Sequence, residues 1–216
     1  MNLRVYKFLD AHYGLKSLRE KRLKISRLED LNDPFELLPY EQTDRETRKG
    51  FREARKIWGA THGLLCFSAD WRDPVIWAHY SDKHRGLCLG FDIPENMGRP
   101  VTYLGERKTL PPLNKPLAQE DSDAWLYSKF ENWFYEKEIR SWTNLETVSD
   151  GMYFVDFGER LKLGEVIAGA RCTLPKEEIF DAVKPLMDVK LTKARPGFHK
   201  FEIVEDQRGF KPISTS

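Results

Sequence analysis

Apolar and polar side chains alternate from the start of the chain, Leu3-Arg4-Val5-Tyr6-Lys7-Phe8, which predicts a half-buried strand. A helix is expected over 15–23, where Leu15, Leu18 and Leu23 form an apolar stripe under a basic outer face. Residues 23–26 alternate again as a short strand. The charge-dense stretch 44–58, apolar at 51, 54, 57 and 58, predicts a surface helix. Apolar runs at 63–68 and 86–92 read as central strands. Between them Asp73-Pro74 opens a helix, with a capping side chain followed by proline at the first helical position. Beyond 100–103, read as one more strand, the proline-rich run 110–116 excludes regular structure. Residues 122–135 carry apolar side chains at 124, 126, 127, 130, 133 and 134, a helical spacing, and 135–142 fits a strand or a helix end. Strands at 165–169, 189–192 and 199–204 and a helix at 175–187 complete the pattern.

Many short strands and few helices, without G-x-G-x-x-G or a P-loop, disfavour a parallel nucleotide-binding sheet. The expected class is α+β, one domain over 1–211 with a mostly antiparallel, split sheet and flanking helices, then a flexible tail at 212–216. Thirty-five basic against 34 acidic residues leave a net charge of +1, which excludes an acidic or basic tail protein. With 40% hydrophobic and 12% aromatic residues the 216-residue chain is richer in apolar groups than a disordered one. No apolar run approaches the roughly 18 to 20 residues of a membrane helix, and the first residues do not resemble a signal peptide, so a cytoplasmic location is expected. Cys66, Cys88 and Cys172 form no CxxC pair and are expected to be buried thiols.

Several groups could carry chemistry. Glu136 and Glu138, placed on a strand, would share one face and repel unless a cation or polar substrate lay between them. On a helix, Glu136 would instead pair with Arg140 four residues on. The six tryptophans, at 58, 71, 77, 125, 133 and 142, supply either a bulky core or the walls of a pocket for a flat ring. His79 and His84 flank Asp82, but His-x-x-x-x-His is not a zinc-protease spacing, and no metal site is expected. Lys16, Arg19 and Arg22 belong to a basic cluster that fits either a solvated helix face or contact with nucleic-acid phosphates.

An ordered set of motifs adds a resemblance. Tyr6-Lys7-Phe8, Asn32-Asp33-Pro34-Phe35-Glu36, Cys66-Phe67-Ser68, Trp77-Ala78-His79-Tyr80, Gly86-Leu87-Cys88-Leu89-Gly90-Phe91 and Trp133-Phe134-Tyr135-Glu136-Lys137-Glu138-Ile139-Arg140 resemble the bacterial family labelled Domain of Unknown Function 2971, over residues 3–205. A weaker resemblance links the chain to ADP-ribosyltransferases, which place His or Arg on a first strand, Ser or Tyr on a second and Glu on a later one. Lys7 stands in the first position here, Ser68 in the second, and Glu136-Lys137-Glu138 is similar to that family's E-x-E. The resemblance implies an ADP-ribosyltransferase-like fold and an enzyme that modifies a nucleic acid or protein with NAD, or hydrolyses NAD, in the manner of a toxin or antiphage effector. It implies Glu138 and Glu136 as the catalytic pair. Arg4, Tyr6 and Lys7, the loop residues Asn32, Asp33 and Phe35, Ser68, and Trp77, His79 and Tyr80 become cofactor-side candidates. A non-catalytic module that binds nucleotide or nucleic acid on the same fold is the alternative.

Overall fold

The computed structural model describes residues 1–112, 116, 118–146, 148–186 and 188–209. In chain order the elements are β1 (Asn2–Leu9), α1 (Ala11–Glu20), β2 (Arg22–Ile25), α2 (Arg45–Thr61), β3 (His62–Ser68), α3 (Pro74–Tyr80) and β4 (Leu87–Pro94). Then come β5 (Arg99–Pro100), β6 (Thr102–Leu104), α4 (Gln119–Leu126), β7 (Ser128–Phe130), β8 (Glu138–Asn144), β9 (Val148–Ser149), β10 (Met152–Asp156), β11 (Lys162–Ala168), α5 (Lys176–Val183), β12 (Lys190–Pro196) and β13 (Ile203–Glu205). The class is α+β, with mostly antiparallel strands: β11/β12 and β6/β7 pair in parallel, while β1/β4, β4/β11, β12/β13, β5/β8 and β9/β10 are antiparallel. The chain divides into two compact units, drawn from the described residues of Met1–Leu23, Phe67–Glu95 and Val155–Ser216, and of Lys24–Cys66 and Asn96–Phe154.

In the first unit β1 and β4 run antiparallel in full register, from Asn2 opposite Pro94 to Leu9 opposite Leu87. Leu87, Cys88, Leu89, Phe91 and Ile93 are all fully buried, so β4 is covered on both faces, as its unbroken apolar run implies. α5 carries the chain from β11 across to its parallel partner β12, the kind of crossover that parallel pairing requires. Leu15 and Leu18 of α1 and Ile179 and Val183 of α5 are buried, each contributing about 1.5–3 kcal/mol. Asp10 caps α1 by accepting from the Tyr13 N–H at 2.8 Å. α1 thus begins earlier than the leucine spacing alone suggests, and Leu23 belongs to β2. Asp73 caps α3 through the Val75 N–H, as its sequence predicts. Gly86 lies where a Cβ would come within 2.0 Å of the Leu9 carbonyl oxygen, a space only glycine leaves open.

The second unit contains β3 up to Cys66, then β8 and β5, in that sheet order. Ile25, Leu37, Leu64, Leu65 and Ile139 form its core. Trp58 stacks on His62 at 3.8 Å and meets Trp125 and Trp142 edge-on, so these indoles fill space. One continuous helix over 122–135 is not formed. α4 ends at Leu126, the Tyr127 N–H closes on the Asp123 carbonyl, 128–130 pairs in parallel with 102–104, and Glu131–Glu136 is a 3-10 turn. The helical spacing is met equally well by these three short pieces. What selects them is the burial of Lys129 among carboxylates. The expected strand at 100–103 is split into β5 and β6, and the expected strand at 199–204 is confined to β13. Part of the proline-rich run and the tail at 212–216 lie outside the described residues.

A buried carboxylate cluster beside an aromatic cleft

Glu136 ends the 3-10 turn and Glu138 opens β8. Between them Lys137 adopts left-handed angles at φ 44°, so both carboxylates reach one cation although they do not share a strand face. That cation is Lys129, whose Nζ lies 2.7 Å from Glu136 Oε2, 3.3 Å from Glu138 Oε2 and 3.5 Å from Glu36 Oε1. Arg140 is the second cation. Its Nε donates to Glu138 Oε1 at 2.9 Å and its Nη2 to Glu138 Oε2 at 3.2 Å, while Nη1 donates to the Leu126 carbonyl. The same Nη2 donates to Glu36 Oε1 at 3.1 Å; Glu36 Oε2, 3.0 Å away, is an ion-pair contact without hydrogen-bond geometry. The expected condition for two neighbouring acids, a cation between them, is therefore met by Lys129, and Arg140 pairs with Glu138 rather than with Glu136.

All five side chains are buried, Arg140 and Glu138 nearly completely. Three carboxylates meet two cations, a surplus of one negative charge out of water. Burial alone would push Glu138 up, but Arg140, Lys129 and a hydrogen bond with Cys66 outweigh it and bring the carboxyl down to about 2. For Glu36 burial wins: Arg140 and Lys129 oppose it in part, Glu138 and Asp33 add to it, and the carboxyl is raised. Lys129 is held protonated, the three carboxylates outweighing its burial. Tyr103 accepts from the Glu138 backbone N–H at 2.8 Å, and burial pushes its hydroxyl up to about 12.

Lys129 also borders a cleft of about 270 Å³ in the same unit, whose walls include Phe35, Leu38, Pro39, Leu104, Arg107 and Phe130. Phe35 and Phe130 are 54% and 40% exposed, so ring faces are open to a guest. The Arg107 guanidinium lies 5.4 Å from the centre of the Phe35 ring. The loop that presents Phe35 is shaped by Asp33, whose Oδ1 accepts from the Phe35 N–H at 2.8 Å while its backbone carbonyl accepts from the Glu36 N–H. Asp33 is buried and its Oδ2 has no hydrogen-bond partner among the described residues. Asn32 precedes it, exposed.

The remaining candidates lie in the first unit and are engaged there. Arg4 forms a two-pronged ion pair with Asp92 at 2.7 and 2.8 Å. The Ser68 hydroxyl donates to the Asp70 carbonyl at 2.7 Å and accepts from the Asp70 N–H. Trp77 is fully buried edge-on to Phe8, its indole N–H donated to the Trp71 carbonyl, so it is a core residue and offers no ligand a face. Tyr6 pairs across strands with Gly90 and Ser68, Lys7 with Leu89; both are half-buried. His79 is exposed and Tyr80 half-buried, their rings 6.2 Å apart. Arg19 is paired with Glu178 and Arg22 with Glu20, each at 2.8 Å, and Lys16 lies 3.9 Å from Glu20. Among the described residues no group of three or more His, Cys, Asp or Glu is arranged to hold a metal, and no helix is long and apolar enough to cross a membrane.

Sequence reasoning named Arg140 as a partner of Glu136 but not of Glu138, and missed Lys129 and Glu36 as partners of the acids. For Arg140 a signal existed, because residues two apart on a strand share a face. Lys129 and Glu36 come from a separate turn and loop, and no spacing announces them. Comparison with family models, with curated proteins and with solved structures finds no match for the chain.

Proposed function

We propose that the second unit is an ADP-ribosyltransferase-like site that binds the nicotinamide end of NAD and cleaves its glycosidic bond, passing the ADP-ribosyl group to a macromolecule or to water. The observation that supports this best is the ionised Glu138 and its neighbour Glu136 lying directly behind Lys129 in the wall of an aromatic cleft. When the bond between ribose and nicotinamide breaks, its electron pair leaves with the ring nitrogen and positive charge builds on the sugar. The ionised Glu138 carboxylate stabilises that charge, and does so strongly where water is excluded. Phe35 and Phe130 offer ring faces for the departing nicotinamide. At about 270 Å³ the cleft lies just below the range of about 300–1,000 Å³ for whole-ligand sites, so it suits one ring and its sugar rather than a dinucleotide.

One observation favours the alternative of a non-catalytic nucleotide-binding module: both Glu138 oxygens are already occupied by Arg140 and Lys129. Glu138→Gln separates the two, provided the variant is measured under conditions where circular dichroism shows it folded. For an enzyme, nicotinamide release falls by at least about 100-fold while NAD affinity changes little, the scale of removing one electrostatic stabiliser of a transition state. If the purified chain binds NAD and releases no nicotinamide, alone or with cell lysate as acceptor source, the enzyme proposal is wrong and the module remains.

A further inference from the structure

The first unit carries a second surface that the carboxylate cluster does not use. The connection between β12 and β13 reads Gly197-Phe198-His199-Lys200-Phe201-Glu202, and its two phenylalanines are 80% and 102% exposed. Neither ring helps to bury a core. The Arg195 guanidinium lies 4.2 Å from the centre of the Phe198 ring, and Arg72 lies over Trp71 at 5.4 Å. Trp71, Arg72, Arg195, Phe198 and Gln207 border one hollow of about 480 Å³. Among the described residues Arg72, Arg195 and Lys200 make no ion pair with a carboxylate. Of the acids nearby, Glu205 is held by Lys190 at 3.0 Å, Asp206 is bound to Arg208 as well as lying near Arg195, and Glu202 borders the hollow. Lys16, Arg19 and Arg22, by contrast, have acidic neighbours that offset their charge.

We infer that this surface binds a single-stranded nucleic acid, with an unpaired base stacked on Phe198 and the flanking phosphates on Arg72, Arg195 and Lys200. Open ring faces interleaved with unpaired cations are what such a strand uses: every base has a face to stack, and each phosphate pairs with a cation. A duplex hides its base faces. A bilayer is matched by a convex apolar tip, whereas here the aromatic and basic groups line a concavity that also holds the Gln207 amide, able to bond a base edge. The inference is independent of NAD chemistry and supplies a class of macromolecule that the chain could hold.

The test is fluorescence anisotropy with a labelled single strand of about ten nucleotides, within the usual range of site sizes. It is run in parallel with the matching duplex and with vesicles of phosphatidylserine and phosphatidylcholine. The single strand binds, and log K falls against log salt with a slope of about −2, as expected for about three phosphate contacts. Phe198→Ala weakens binding about 10-fold, the loss of one stacked base, without lowering the melting temperature of the chain. Arg72→Ala with Arg195→Ala brings the slope to about −0.7, while Lys16→Ala with Arg19→Ala leaves it unchanged. Three results overturn the inference: no strand binding at about 50 mM salt, binding lost with Lys16 and Arg19 but kept without Phe198, or vesicle binding that depends on Phe198 and Phe201 with no strand binding.

Discussion

Charge arithmetic in the buried cluster predicts an unusual order of mutational costs. With Glu36, Glu136 and Glu138 facing Lys129 and Arg140, one negative charge is uncompensated, and a proton retained on one carboxyl removes that cost. Glu138 has three contacts from two cations and Glu136 has the shortest, at 2.7 Å. Glu36 has the poorest geometry and buried Asp33 beside it, and its carboxyl is the one raised, so a retained proton is expected there. Replacing Glu36 by its neutral isostere, Glu36→Gln, therefore changes stability by no more than about 1 kcal/mol, because the native state already holds a neutral group. Glu138→Gln removes the charge and replaces one of the two oxygens that accept from Arg140 but leaves it Glu36, which can then ionise; the cost falls at the lower end of the range for a broken buried pair, about 3 kcal/mol. Arg140→Met leaves three carboxylates to Lys129 alone and costs about 5 kcal/mol. Urea unfolding at neutral pH, followed by tryptophan fluorescence with the slopes checked for equality, gives the three values. If Glu36→Gln destabilises as much as Glu138→Gln, the proton is not on Glu36 and the charge assignment fails.

Stability against pH follows from the same assignment. The Glu138 contribution, about 3 kcal/mol for a carboxyl lowered from 4.5 to about 2, is complete above its unfolded value and disappears as pH falls toward 2, so acid unfolding of Glu138→Gln is correspondingly flatter. Glu36 has the opposite sign: its folded value is raised, its contribution is present below the unfolded value and is lost as pH rises through the folded one. Glu36→Gln accordingly loses less stability than the wild type on the alkaline side, and an unchanged slope there counts against a neutral Glu36. Gly86→Ala places a methyl group 2.0 Å from the Leu9 carbonyl oxygen, beyond what any rotamer can relieve; we expect a loss of about 3 kcal/mol or more in urea unfolding, and a loss below about 1 kcal/mol would show that the turn yields.

Local rules made much of the fold legible. The alternation in β1, the apolar run of β4 and the Asp73-Pro74 start of α3 each follow from chemistry within a few residues, and each forms. The pattern over 122–135 misled because helical periodicity cannot register that Lys129 is a buried ion-pair partner. The acidic pair was visible as an electrostatic cost that needed a cation, but the identity of that cation depends on a loop and a turn brought in from elsewhere in the chain. Ser68 and Trp77 illustrate the reverse: residue types suited to a site were absorbed by an adjacent backbone carbonyl and by the core. Phe198 and Phe201 gave no periodic signal, since their role shows only as exposure.

Release of free nicotinamide from NAD, followed by chromatography during incubation with the purified full chain, bears most directly on the central proposal. The account predicts release by the wild type, at least about 10-fold slower release when Phe35→Ala removes a wall of the cleft, and at least about 100-fold slower release for a folded Glu136→Gln. No release by the wild type, with or without an added acceptor, or release that both substitutions leave untouched, would contradict it.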